Sequence, residues 1–346
     1  MVMRRKNVIW LYIVLILAVT LAGCARANAF EAGEKALSEG AYQKAIEQFD
    51  TVIEKDPQNI DAIVDRGHAY YQLKEYDKAL DNYQRALKID PKSSAALNGL
   101  GSVYKSQGEM EKALDVFNKS IEIDDQNAMA FYNRGVIKAQ NNQLEDAIED
   151  FNRALKIDDH LTLAFYNRGL AYLTLGKMED AIADLTIALR LDENLLDAYY
   201  YRGIAFTNNQ HLEPALKDFS IVIEKQPENA KAYLKRAIVY TQLQKFKEAI
   251  SDLKKVLSLE PQNASAYYLL GNTYYYGKNY QQAIFAYNMV LGLKPDFAPA
   301  YLNRGVSYKM LNMFDEAKQD LERYLQLAPD AENKGAVQAM IDEMNQ

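Results

Sequence analysis

Sixteen residues separate Arg134 from Asp150, Arg168 from Asp184, Arg202 from Asp218, Arg236 from Asp252 and Arg304 from Asp320. A guanidinium and a carboxylate recurring at one spacing can pair with each other or present charge to a ligand. The carboxylate accepts the planar guanidinium fork through two parallel hydrogen bonds. Their matched occurrence favours pairing: Arg66 has Asn82, still an acceptor, at the same offset, whereas three segments without the arginine carry Gln48, Val116 and Ala286 there. The three histidines, His68, His160 and His211, share no spacing that would gather them on a metal. Gly99-Leu100-Gly101 opens like a dinucleotide fingerprint but lacks the third glycine. Phosphate loops and nucleophile elbows are missing too. The expectation is therefore no catalytic residue, no cofactor, no metal and no enzyme activity.

The remaining reactive group is Cys24, the single cysteine in 346 residues. It permits no intramolecular disulfide. Arg4, Arg5 and Lys6 precede an uncharged run from Asn7 to Gly23, whose apolar part, Val8 to Leu21, suits a secretory signal better than a membrane span. The run ends Leu21-Ala22-Gly23-Cys24, which resembles the bacterial lipobox. That resemblance implies a lipoprotein signal peptide over residues 1–23, cleavage between Gly23 and Cys24, a diacylglyceryl group on the Cys24 thiol and an acylated new amino terminus, palmitate among the chains. Two or three acyl chains hold a protein on a membrane stably, whereas one does not. An uncleaved anchor helix, or an ordinary signal peptide with an incidental cysteine, are the alternatives. Loss of the three basic residues would take the net charge from −7 to −10. Residues 24–28 would form the lipidated terminus and a short tether. Ala25, not being aspartate, favours a periplasm-facing outer-membrane position under the enteric sorting rule.

Elements must hold the arginines and aspartates at their fixed offset, and the sequence shows how. Alanine recurs every 34 residues from Ala45 to Ala317. Glycine stands twelve residues before it in eight of the nine cases, Ala237 being the exception. Self-similarity this strict without insertions means a stacked array. With each repeat numbered 1 to 34, small or apolar residues at 4, 8 and 11, then at 20, 24 and 27, form one face of each of two helices. Proline or an acid at 32 ends the second helix. Half the residues are apolar and a quarter charged, which excludes a disordered chain. The acidic balance excludes a nucleic-acid footprint.

The pattern closely resembles the tetratricopeptide repeat, for example in AFYNRGLAYLTLGKMEDAIADLTIALRLD from Ala164 to Asp192. Nine repeats cover residues 26–331. The resemblance implies an all-α fold, a right-handed superhelical solenoid of nine helix-turn-helix repeats. Residues 332–346 read as a capping helix, with Ala336, Val337, Met340, Ile341 and Met344 on one stripe. Arginine at position 7 and aspartate at position 23 then face each other within one helix pair.

In this family the groove is lined from positions 2, 5, 6, 9, 12 and 13 of the first helices. Carried over, the lining is Met129, Tyr132, Asn133 and Val136 in the fourth repeat, then Leu163, Tyr166, Asn167, Leu170 and Leu173 in the fifth. It continues with Tyr200, Tyr201 and Ile204, with Lys231, Leu234, Lys235 and Ile238, and with Tyr268, Asn272, Tyr275 and Tyr276. Such an aromatic groove with interspersed amides suits an extended peptide or a partner helix. Lys231 and Lys235 match two places of the family's carboxylate clamp, but Tyr166, Leu170 and Tyr201 occupy the others and do not match. The expected function is a membrane-anchored scaffold or adaptor in the cell envelope, an assembly factor for a pilus, a secretion complex or an outer-membrane complex. It binds a protein or peptide partner, not nucleic acid. The alternative is a catalytic or non-catalytic subunit of an enzyme acting on envelope polymers.

Overall fold

The computed structural model describes residues 28–345. Cys24 and the expected signal peptide and tether up to residue 27 lie outside the described residues. The chain divides into two compact halves after Ala171. Among the described residues the regular structure is helical throughout.

In the amino-terminal half, first helices α1 (28–38), α3 (Ile60–Gln72), α5 (Ser94–Ser106) and α7 (Ala128–Gln140) alternate with second helices α2 (Tyr42–Lys55), α4 (Tyr76–Ile89), α6 (Met110–Ile123) and α8 (Leu144–Ile157). Helix α9 (Thr162–Thr174) runs across the division. The other half pairs α11 (Leu196–Asn208) with α12 (Leu212–Lys225), α13 (Ala230–Gln242) with α14 (Phe246–Leu259), α15 (Ala264–Tyr276) with α16 (Tyr280–Leu293), and α17 (Ala298–Met310) with α18 (Phe314–Leu327). It begins with the second helix α10 (Met178–Leu191) and ends with α19 (Lys334–Glu343).

The repeat consensus becomes geometry at three points. Asn59, Ser93, Asn127, Asn229 and Asn263 cap first helices, each side-chain oxygen accepting from the backbone N–H three residues on. The turn inside every repeat contains one left-handed residue at position 15. Glycine fills it at Gly40, Gly108 and Gly176, and Lys74, Asn142, Gln210, Gln244, Lys278 and Asn312 fill the rest. Where helices cross, glycine at position 8 lies on an aromatic ring from position 24 in six repeats, and Gly305 lies on Leu321. A methyl group on Gly203 would come within 2.8 Å of the Phe219 ring, and one on Gly135 equally close to Phe151. Ala237 is tolerated because its repeat carries Leu253, not a ring, at position 24.

Each half is filled by its own buried side chains. Phe49, Phe117 and Phe151 are fully buried in the amino-terminal half, and Phe219, Leu253 and Tyr287 in the other. Val337 and Ile341 of α19 bury against Leu321 and Tyr324, with Met340 and Met344 alongside, and so cover the last apolar face. Ala336, expected on that stripe, is exposed.

Candidate functional site

The arginines at position 7 do pair with the aspartates at position 23. Nε and Nη2 of Arg134 donate to the two oxygens of Asp150 at 2.8 and 2.6 Å. Arg202 reaches Asp218 and Arg236 reaches Asp252 at 2.8 Å through both bonds, and Arg304 reaches Asp320 at 2.6 Å through both. These four aspartates are buried. Arg66 meets Asn82 at 2.9 Å. Arg168 and Asp184 fall one in each half; Asp184 is buried, and Arg168 donates Nη1 to Asn152 at 2.5 Å.

That last bond belongs to a series missed in the sequence. The remaining Nη1 donor reaches sixteen residues back, to position 25 of the preceding repeat: Arg66 to Asp50, Arg134 to Asn118, Arg202 to Thr186, Arg236 to Ser220 and Arg304 to Asn288, at 2.5 to 3.1 Å. One guanidinium therefore ties two successive second helices through the first helix between them. Rings at positions 4 and 11 close over it. Arg236 lies 5.6 Å from both the Tyr233 and Tyr240 centroids, and Arg304 lies over Tyr301 and Tyr308. Burial pushes the Asp218 carboxyl above its usual range, outweighing the attraction of Arg202. The donors of these arginines are spent on partners within the fold.

Large apolar side chains stay exposed on first helices and also on second helices, where Phe285 of α16 is 60% and Phe314 of α18 is 42% exposed. In the amino-terminal half, Met129 and Leu163 are exposed, at 42% and 51%. Tyr132 and Tyr166 are half-buried. Asn167 donates to the Tyr132 hydroxyl at 3.1 Å, and burial raises that phenol's pKa. Asn133 is buried, its amide spent on Asn98 at 3.2 Å and Lys105 at 2.6 Å. It braces neighbouring first helices, a use the repeat consensus could not disclose.

In the other half, Tyr200 and Tyr201 meet edge to face at 5.3 Å. Lys231 is exposed and Lys235 half-buried on α13. Asn303 donates to the Tyr268 hydroxyl at 3.0 Å and to Asn272 at 2.9 Å. Tyrosine at 5 thus accepts from asparagine at 6 of the next repeat in both halves, so part of the expected peptide-gripping chemistry is used between helices. On this face Tyr276 is 61% exposed beside half-buried Tyr275.

A cleft of about 490 Å³ opens on the first-helix face of the second to fourth repeats, lined by Asp65, His68, Gln72, Asn98, Ser102 and Lys105 among others. The sequence reading passed over these repeats for the aromatic ones. The signal was present: position 6 holds a large or polar side chain in neighbouring repeats but glycine at Gly99. A methyl group there would run into the Tyr83 ring, so the cleft floor is bare backbone over that ring. Asp158, Asp159 and His160 bring ligand atoms within 4.8 Å of one another at an exposed turn. His68 lies in α3, His160 in the turn after α8 and His211 immediately before α12.

A stack of 34-residue helix pairs, with framework charges between helices and varied side chains on the first-helix face, defines a helical-repeat interaction scaffold. Models described as TPR repeat match residues 67–108, 101–141 and 239–276, and models described as tetratricopeptide repeat match 36–81, 128–161, 162–195 and 270–342. The chain belongs to the tetratricopeptide repeat family. Among solved structures it resembles YrrB, described as a TPR protein with an unusual peptide-binding site, at 24% identity and TM-score 0.50 over 54% of this chain and 96% of that one. It also resembles PilF of Pseudomonas aeruginosa, at 22% identity and TM-score 0.54 over 60% of this chain and 94% of that one. The Cut9–Hcn1 assembly of APC/C matches at 17% identity and TM-score 0.51, over 88% of this chain and 59% of that one. These likenesses concern the fold. No curated protein matches the chain. Among the described residues, no helix is long and apolar enough to cross a membrane.

Proposed function

We propose that the chain is a lipid-anchored adaptor of the bacterial cell envelope, non-catalytic itself, whose first-helix face holds a segment of a partner protein. One observation supports the binding half of this reading most. Leu163 and Met129 stand exposed beside half-buried Tyr132 and Tyr166, a mixed apolar and aromatic surface that helix packing has not consumed. The anchoring half is supported by the Leu21-Ala22-Gly23-Cys24 box behind a basic, then apolar, start. Together they describe an assembly factor for an envelope complex such as a pilus, a secretion pore or an outer-membrane machine.

The paired substitution Tyr166→Ala with Asn167→Ala tests the binding surface. Capture of the native partner by crosslinking in the envelope should weaken while helical content stays unchanged. Undiminished capture would remove this surface from the account.

A further inference from the structure

The cleft of the second to fourth repeats has walls of opposite charge, and neither wall is neutralised within the fold. On one side stands Asp65 of α3, half-buried, with no hydrogen bond or ion pair among the described residues. On the other stands Lys105 of α5, whose ammonium makes one hydrogen bond, to the Asn133 amide, and meets no carboxylate. Asp65 is position 6 of its helix and Lys105 position 12 of the next, about 9 Å further along at 1.5 Å per residue. The ammonium is drawn to that far end by Asn133, itself held by Asn98. Two unmatched charges in one cleft cost the fold stability, since burying an unpaired charge is unfavourable. Groups kept at such a cost belong to recognition, not to framework.

We propose that this cleft receives an extended peptide segment carrying a lysine or arginine side chain, whose cation is neutralised by Asp65 while Lys105 and Asn98 hold the peptide's backbone carbonyl and amide groups. This rests on the reading that the first-helix face takes a partner's chain, and adds what that chain must carry. Charge complementarity fixes the choice. The neighbours that act on Asp65 are Glu34 of α1 and Asp61 of α3, so its end of the cleft is a concentration of negative potential. His68, also on α3, is kept neutral by burial. Tyr83 of α4 lies beneath, protonated. Lys105 is the cation facing the cleft, at its other end. At Gly99 the Tyr83 ring packs directly against the backbone, so α5 brings no side chain of its own into the cleft at that position. An anionic side chain would meet three carboxylates there.

The same geometry ties binding to pH. Burial and the two nearby carboxylates push Asp65 up to about 6. A bound cation favours the ionised form, so binding releases a proton and tightens as pH rises through that value. At pH 5 only about a tenth of the free protein has Asp65 ionised, so affinity should fall about tenfold between pH 7.5 and pH 5. Protonation of His68 at low pH acts in the same direction.

The test presents a randomised peptide library to the full chain and to its Asp65→Asn variant, an isosteric change that leaves circular dichroism unaltered. The expected result is enrichment of lysine or arginine at one peptide position with the native chain, lost with Asp65→Asn. The enriched peptide should show the tenfold pH effect, and Lys105→Met should weaken it without changing the charge preference. Enrichment of acidic or uncharged peptides, or a basic preference surviving Asp65→Asn, overturns the cation assignment while leaving peptide binding in place. Enrichment of nothing overturns both.

Discussion

Arg202 spans Asp218 with two 2.8 Å hydrogen bonds and keeps a third donor for Thr186 at 3.1 Å. Asp218 belongs to the same repeat and Thr186 to the one before, so a single side chain fixes both the helix pair and its stacking. Buried ion pairs add little net stability because desolvation consumes the attraction, and the raised Asp218 carboxyl reflects that. Register is what the geometry supplies. Arg202→Ala, which strands Asp218 at 2% exposure, should destabilise the chain by about 3–5 kcal/mol in denaturant unfolding. Arg202→Met with Asp218→Leu should recover most of that loss. A single-variant loss under about 1 kcal/mol would mean water already serves the pair.

The ring beneath Gly203 gives a second expectation. Gly203→Ala should cost about 1–3 kcal/mol, because the added methyl overlaps the Phe219 ring. Adding Phe219→Leu recreates the combination that Ala237 and Leu253 already form two helices further on, and should restore part of the loss. Unfolding midpoints of the two single variants and the double measure this coupling. Additive losses would show that the ring does not dictate glycine.

Asp65 carries a linkage whose sign is fixed. Its carboxyl titrates near 3.8 when unfolded and about 6 when folded, so between these values the native state holds the extra proton. Stability from the protonated carboxyl is full below about pH 4 and is lost as pH rises through 6. Asp65→Asn should therefore stabilise the chain at pH 7, by about 1–3 kcal/mol for a shift near two pKa units. It should flatten the stability profile from pH 4 to 6. A destabilised variant would mean that Asp65 has a partner in the fold.

Much of this was legible in 34-residue spacing. The helix pairs, the small residues at crossings, the arginine–aspartate pairs and a terminal helix burying Val337 and Ile341 all follow from periodicity plus two-helix geometry. Two things did not. Position 25 drew no attention because Asp50, Asn118, Thr186, Ser220 and Asn288 share only an acceptor oxygen, not a residue type. Its sign is still visible, since Gln84 and Lys254 occupy it where no arginine follows. The charged cleft stayed hidden because a groove position says which way a side chain faces, not whether a neighbour claims it. Asn133 and Asn167 face the groove and are claimed; Asp65 is not.

The anchor is open to a direct check. Mass spectrometry of the native protein should find Cys24 as the first residue, bearing acyl chains, with residues 1–23 removed. Cys24→Ser should release the chain from the membrane fraction. An intact Met1, or an unchanged location after the substitution, would end the lipoprotein reading.

The central claim is that partners engage the first-helix face and not the second-helix face. A photo-crosslinking amino acid placed at Leu163, 51% exposed on α9, probes one face, and the same group at exposed Glu149 of α8 probes the other. Irradiation of the full chain in its native envelope should yield one discrete crosslinked partner from position 163 and background from position 149. Equal yields from both positions, or a discrete partner from position 149 alone, would contradict the account.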